Sequence, residues 1–303
     1  RPTDKLESEA ARLSEIWSCR RTRAQRYRAS QAAIDELPPV TVAELRRAIT
    51  TFSRHTSHTW DGVHPRHFAL LSDQQLEVVS ALMYLIEQTG ELPTCLQGVI
   101  ATLIPKLKGE EESFRSIGMM PGLYRLWARV RTPLVKQWER AHRHPSLGHQ
   151  TGRSLLEVTF LQAMLAEAGA HDTEPEVFAA FLWDLSNFYE YVPRDTLWSH
   201  GREQGFNEAL LAVTLNQYSC SRVVSFNGVA KSTHYPSRGI AAGCSFATYL
   251  VQVLALPALR RLQHLHPRVW ITMFIDDLFV HARHKLDNQV ISRLVEAGAA
   301  LQD

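Results

Sequence analysis

Two adjacent aspartates, Asp276 and Asp277, interrupt the apolar run Val-Trp-Ile-Thr-Met-Phe-Ile-Asp-Asp-Leu-Phe-Val that begins at Val269. The β-branched and aromatic residues around them predict two buried strand segments, Val269 to Phe274 and Leu278 to Val280. An unpaired carboxylate in such surroundings is costly, and two side by side repel each other. A hairpin that needed only to turn would favour Asn-Gly or Asp-Gly, because tight hairpin turns take positive φ. The pair therefore points to metal binding, with a solvated loop tip as the competing explanation.

A second apolar run, Val177 to Trp183, ends in another carboxylate, Asp184. The run is too short for an amphipathic helix and fits a buried strand. If that strand lies beside the Asp276/Asp277 hairpin, three carboxylates converge on one edge of a sheet. Hard oxygen ligands of this kind suit Mg²⁺, which takes a few carboxylates together with water and substrate phosphates. Pairs of such ions clamp the attacking and leaving oxygens in phosphoryl transfer.

These residues resemble the reverse transcriptases, most of all those of non-LTR retrotransposons. Phe274-Ile275-Asp276-Asp277 resembles the family's aromatic-x-Asp-Asp motif. Asp184-Leu185-Ser186-Asn187-Phe188-Tyr189-Glu190 resembles its first catalytic motif, an Asp followed five residues later by an aromatic. The resemblance implies an α+β fold, the fingers and palm of a right-hand polymerase, with a small, largely antiparallel palm sheet flanked by helices. It implies two Mg²⁺ ions, replaceable by Mn²⁺, held by Asp184 and Asp276 with Asp277 assisting and the Leu185 carbonyl as a backbone ligand. Tyr189 falls at the steric-gate position, where an aromatic ring excludes a ribose 2′-hydroxyl; a core aromatic is the alternative. RNA template, DNA primer and dNTPs are the partners implied, and Tyr189 argues against an RNA-directed RNA polymerase.

Other segments extend the likeness from about residue 40 to the C-terminus. Leu103-Ile104-Pro105-Lys106 and Phe114-Arg115-Ser116-Ile117 resemble the two fingers motifs, which makes Lys106 and Arg115 charge partners for the triphosphate. The alternative for both is a solvated basic loop with Lys108. Trp60-Asp61-Gly62-Val63 and Gly152-Arg153-Ser154 resemble two further stretches. Arg238 to Ser245 resembles the glycine-rich segment, whose glycines, Gly243 among them, allow close approach to primer-template and nucleotide. Ala242 stands where the family usually has Gln, Ala247 where Ser is common, and Ser116 where Pro is usual. The lost glutamine amide leaves a catalytically silent nucleic-acid-binding remnant as the second reading. The family pattern continues with the rest of the palm and a thumb; the sequence ends 26 residues after Asp277, which reads as a fragment without a thumb and leaves an open edge strand. The expected division is a basic helical extension over 1–37, fingers over 38–176 and palm over 177–303.

Local signals place helices independently. Capping boxes begin at Thr41, Ser72 and Ser154, predicting helices to about Phe52, Gly90 and Gly169. Residues Leu123 to His142 read helical with a break or kink at Pro133. Asn207 caps a helix to about Tyr218, and Asn227-Gly228 predicts a hairpin within Arg222 to Tyr235. Ser245 to Leu265 reads as an apolar helix kinked at Pro257.

A net charge of +2 does not by itself announce nucleic-acid binding. The stretch Arg20, Arg21, Arg23, Arg26 and Arg28, with Tyr27 inside it, is either a phosphate contact or a solvated helix. Cys19, Cys95, Cys220 and Cys244 lack metal or disulfide spacing. His64-Pro65-Arg66-His67 and His142-Arg143-His144 read as surface histidines rather than a zinc site. No apolar stretch is long enough to span a membrane and no signal peptide is visible, so an intracellular site is expected, nucleus or cytosol undecided.

Overall fold

The computed structural model describes residues 2–18, 26–106, 113–171, 177–232, 235–284 and 287–299. In chain order these form α1 (Pro2–Trp17), α2 (Gln31–Asp35), α3 (Val42–Thr50), α4 (Asp73–Thr89), β1 (Val99–Lys106), β2 (Ser113–Met119), α5 (Gly122–Ala141), α6 (Leu155–His171) and β3 (Val177–Asp184). They continue with α7 (Phe188–Tyr191), α8 (Arg194–Glu203), α9 (Glu208–Ser219), β4 (Arg222–Phe226), β5 (Val229–Ser232), α10 (Ala247–Leu265), β6 (Val269–Phe274), β7 (Asp277–His284) and α11 (Asp287–Ala299). The chain falls into two compact units, Arg1–Val135 with Tyr189–Ala247, and Lys136–Phe188 with Thr248–Asp303. Each unit is discontinuous in sequence.

The first unit is organised on a sheet of order β2-β1-β4-β5. Strands β1 and β2 pair antiparallel with Ile104 opposite Arg115, and β4 and β5 turn back at Asn227-Gly228, where φ is 48° and 81°. That dipeptide supplies the positive φ a two-residue hairpin demands. β1 and β4 run parallel, with Ile100 beside Val223. Helix α1 covers one face: Leu6, Ala10, Leu13 and Trp17, at helical spacing, form one buried cluster with Leu103, Phe114, Val224 and Phe226. Burying a Leu fully stabilises by roughly 1.5–3 kcal/mol, so a stripe of this size ties α1 to the sheet.

Caps and packing complete the unit. Thr41 with Glu44 and Ser72 with Gln75 make reciprocal capping boxes at the starts of α3 and α4. Asn207 caps α9, which is buried along Ala209 to Tyr218. The polar Asn216 within it is satisfied by backbone alone: its Oδ1 accepts from Tyr27 N–H at 2.9 Å, and its Nδ2 donates to the Tyr27 and Gly90 carbonyls at 2.8 and 2.9 Å.

The second unit is built on an antiparallel sheet of order β3-β7-β6. The outer side of β6 is partly covered, because Gly148 N–H donates to the Met273 carbonyl at 2.8 Å and Met273 N–H to the Ser146 carbonyl at 2.7 Å. Strand β3 forms where expected but is not the buried strand its apolar run suggested. None of its residues is buried, Leu182 is exposed, and its outer edge is open among the described residues, so no layer covers that edge. Val290, Leu294 and Ala297 of α11 are buried. α5 and α10 both run unbroken through an internal proline, Pro133 and Pro257, so of the break or kink read at Pro133 the break does not occur. Buried Trp127 before Pro133 and Val135 after it supply packing that outweighs the roughly 3 kcal/mol an internal proline costs. Among the described residues no helix is long and apolar enough to cross a membrane.

Candidate active site

β3 ends on Asp184, and the register sets Asp184 directly opposite Asp277, the first residue of β7. Phe274 pairs with Asp277 across the hairpin, leaving Ile275 and Asp276 as a two-residue loop. Ile275 has a φ of 62°. A β-branched residue in the left-handed region costs on the order of 1–3 kcal/mol, so this loop holds strain where turn chemistry would have used glycine. The strained loop is buttressed: Ile275 N–H donates to His149 Nδ1 at 3.2 Å, and the His149 ring sits 6.2 Å from that of Phe274, edge to face. The Asp276 carbonyl accepts from Leu185 N–H at 3.0 Å, which ties the residue after Asp184 to the hairpin loop. Burial pushes the His149 imidazole below its ordinary pKa, so it sits neutral under the loop.

The sheet thus gathers Asp184, Asp276 and Asp277 at one end. The Asp277 carboxyl is raised above the usual range, first by burial and then by the charges of Asp276 and Asp184, so the three groups repel one another. Among the described residues no group of three or more His, Cys, Asp or Glu stands close enough to hold an ion as placed. Mg²⁺ does not need three: it is commonly bound through one or two carboxylates with water and phosphate oxygens filling the rest. An all-oxygen donor set under mutual repulsion fits that ion. The Leu185 carbonyl accepts from Phe188 N–H at 3.0 Å, which occupies one of its two lone pairs.

The remaining candidates lie in the first unit. Arg115 faces Ile104 across β1 and β2, and Lys106 follows two residues on, so Lys106 and Arg115 share one face of the sheet. Both are exposed, and α1 covers the opposite face, where Leu103 and Phe114 are buried. Tyr189 stands in α7, half-buried, its carbonyl accepting from Ile240 N–H at 2.8 Å. The glycine-rich segment packs against its own chain: a Cβ on Gly243 would lie 2.9 Å from the Gly118 carbonyl oxygen, and one on Gly239 would lie 2.7 Å from that of Glu190. The Ala242 carbonyl accepts from Gly118 N–H at 2.6 Å. The close approach these glycines provide is therefore to β2 and α7.

Several residues that sequence reasoning passed over hold this region. Glu190 is buried and accepts from Trp17 Nε1, from Ser116 Oγ and, at 3.1 Å, from Arg222 Nη1. Arg194 is buried and donates to the carbonyls of Tyr218, Arg238, Gly239 and Pro236. Burial, then the nearby Arg222 charge, lowers the Arg194 pKa to about 10. The sequence signal was faint, charged residues bordering apolar runs, with partners as far as 173 positions apart.

Other sequence expectations resolve individually. Arg20, Arg21, Arg23, Cys19 and Lys108 lie outside the described residues. Arg26 pairs with Glu91 at 3.0 Å, and Arg28 is exposed. Cys95, Cys220 and Cys244 are free thiols. The reading of His64 as a surface residue is corrected: it is 5% exposed and caps the 3-10 turn Pro65–Leu70, its Nδ1 accepting from Arg66 N–H at 3.0 Å.

Residues 104–301 match the family model described as reverse transcriptase (RNA-dependent DNA polymerase). The chain belongs to the reverse transcriptase family. Among solved structures it is similar to the apo telomerase of Candida tropicalis truncated from its C-terminal domain (12% identity, TM-score 0.48, 68% of this chain and 47% of that one). It is also similar to the telomerase of Candida albicans in complex with a TWJ fragment of telomeric RNA (11% identity, TM-score 0.48, 70% of this chain and 41% of that one). The chain spans less than half the length of either. No curated protein sequence matches it.

Proposed function

We propose that the chain carries fingers and palm elements of an RNA-directed DNA polymerase from a retroelement of non-LTR type, acting on dNTPs, a DNA primer and an RNA template. The observation that carries this reading is the register that sets Asp184 opposite Asp277, with Asp276 tied to Leu185 in the adjoining loop. Asp184 and Asp276, assisted by Asp277, are the residues that would hold Mg²⁺ or Mn²⁺. Bound to these carboxylates, such ions would supply Lewis-acid activation of a primer 3′-hydroxyl and charge stabilisation for the leaving pyrophosphate. The positive-φ Ile275 turn, with His149 accepting from its N–H, buttresses the hairpin that carries the aspartates. Lys106 and Arg115 present cations suited to triphosphate oxygens. Tyr189 selects against a 2′-hydroxyl by bulk.

A catalytically silent, nucleic-acid-binding remnant is favoured by one observation, the alanine at position 242 where an amide side chain is usual in the family. Primer extension on poly(rA)/oligo(dT) with Mg²⁺ and dTTP separates the two. Extension by the chain, lost in Asp276→Ala, is the result expected of the polymerase. Intact primer-template binding without extension by either protein supports the remnant.

A further inference from the structure

The buried Glu190 carboxylate has three partners on three separate elements. Trp17 Nε1 reaches it from the last residue of α1, Ser116 Oγ from β2, and Arg222 Nη1 from the first residue of β4. The Arg222 guanidinium lies 4.5 Å from the centre of the Trp17 ring and donates through Nη2 to the Gly239 carbonyl at 3.1 Å. The backbone on either side of Glu190 is paired with the glycine-rich segment: Ile240 N–H donates to the Tyr189 carbonyl and Gly239 N–H to the Val192 carbonyl, both at 2.8 Å. The end of α1 closes the circuit. The Trp17 carbonyl accepts from Ser237 N–H and Oγ at 3.0 Å, and the Ile16 carbonyl accepts from Arg238 Nε.

A buried ion pair is a poor device for stability, since well-packed apolar residues of similar volume usually do as well. Fixing one geometry is a better use of it. The residues fixed here are the neighbours of the substrate candidates: Tyr189 precedes Glu190, Arg115 precedes Ser116, and Gly239 opens the segment that ends at Gly243. A second buried carboxylate–arginine pair among the described residues, Glu87 with Arg131 at 2.6 Å, reaches Trp127 and the Pro38 carbonyl instead. It provides an internal control.

Resting on the polymerase reading above, we propose that Glu190 is a positioning residue for nucleotide selection, setting Tyr189, Arg115 and the Gly239–Gly243 segment in one arrangement. Through Trp17 it makes α1 part of that arrangement. Glu190→Gln keeps the shape and acceptor oxygen but removes the charge facing Arg222. Trp17→Phe keeps the ring over Arg222 and removes only the indole donor, so it serves if the first variant folds poorly. Glu87→Gln reports stability loss without contact to the segment.

The test compares these variants with the unsubstituted chain in single-nucleotide extension with dTTP and UTP, alongside amide exchange at Gly118, Gly239 and Ile240. Glu190→Gln is expected to raise the KM for dTTP about tenfold or more while kcat changes little, because misplacement of binding groups is felt strongly. The UTP-to-dTTP preference is expected to rise with it, and Trp17→Phe to shift both the same way by less. Protection at the three amides should fall selectively. Glu87→Gln should leave KM, sugar preference and those amides unchanged even where it lowers stability. Equal effects from Glu190→Gln and Glu87→Gln, or none from Glu190→Gln, would overturn the positioning role while leaving the polymerase reading intact. If the unsubstituted chain extends no primer, the polymerase reading fails by itself. Amide protection then decides: selective loss in Glu190→Gln upholds the organising role, and evenly spread or absent loss removes it.

Discussion

Replacing Gly243 with alanine should cost far more than an ordinary glycine substitution in a loop. Gly243 has a φ of 99°, a region that L-residues avoid, which alone costs on the order of 1–3 kcal/mol. The new Cβ would also stand 2.9 Å from both the Gly118 carbonyl oxygen and Ile117 Cγ2, closer than carbon atoms tolerate. Relief requires the segment to lift from β2, which threatens the 2.6 Å bond from Gly118 N–H to the Ala242 carbonyl, worth roughly 0.5–1.5 kcal/mol net. The combined expectation is about 2–4 kcal/mol, a large part of the roughly 5–15 kcal/mol available to a domain. Gly205 provides the comparison: its φ is 65° and a Cβ there meets nothing within 4 Å, so Gly205→Ala carries backbone strain alone. Urea unfolding of both variants at unchanged m-value measures the difference. Equal losses at the two positions would refute the argument that close packing on β2 dictates glycine at 243.

Four further outcomes are expected. Glu87→Gln leaves the buried Arg131 guanidinium without its counter-charge and should destabilise by about 3–5 kcal/mol in urea unfolding, whereas a Glu87→Leu/Arg131→Met double variant should recover most of that. His281 is held neutral to about pH 4 by burial and then by Arg283; its folded pKa lies below the ordinary 6.5, so its stabilising contribution is present above pH 6.5 and lost as pH falls towards 4. By the linkage constant this is on the order of 3 kcal/mol, and His281→Phe should flatten the difference in urea midpoint between pH 7 and 4.5. Asp277 has the opposite sign: its raised pKa means stability is greatest when the carboxyl is protonated and declines as pH rises through its folded value, so Asp277→Asn should raise Tm slightly at pH 7 without metal, and Mg²⁺ should raise Tm less in that variant than in the unsubstituted chain. Tyr189→Ala should increase ribonucleotide incorporation in single-nucleotide extension; unchanged sugar preference would remove Tyr189 from the gate.

Much of the local structure was legible because its causes are local. Capping at Thr41, Ser72 and Asn207, the Asn227-Gly228 hairpin and the short apolar strands each depend on residues a few positions apart. The strand reading of Val177 to Trp183 with the Asp276/Asp277 hairpin also fixed which ends the carboxylates occupy. The β3 to β7 pairing was expected only as a condition, and the structure meets it with Asp184 opposite Asp277. Pro133 in α5 shows the reverse case: the helix break that a proline permits is absent, because buried residues on both sides hold the helix together.

The sequence by itself determined many of the helices, β3, the two hairpins, their turn chemistry and the presence of carboxylates at strand ends, since capping, turn residues and side-chain alternation are written in neighbouring residues. β1, β2, α8 and α11 were not legible in it. Only the tertiary structure decided that β4 would run parallel beside β1, and that the apolar stripe of α1 would cover their sheet. It alone decided that Glu190 would meet Trp17, Ser116 and Arg222 in the interior. The physical reason is that such pairings join positions tens to hundreds of residues apart. Their free energy comes from excluding water around surfaces that acquire partners only when the whole unit closes.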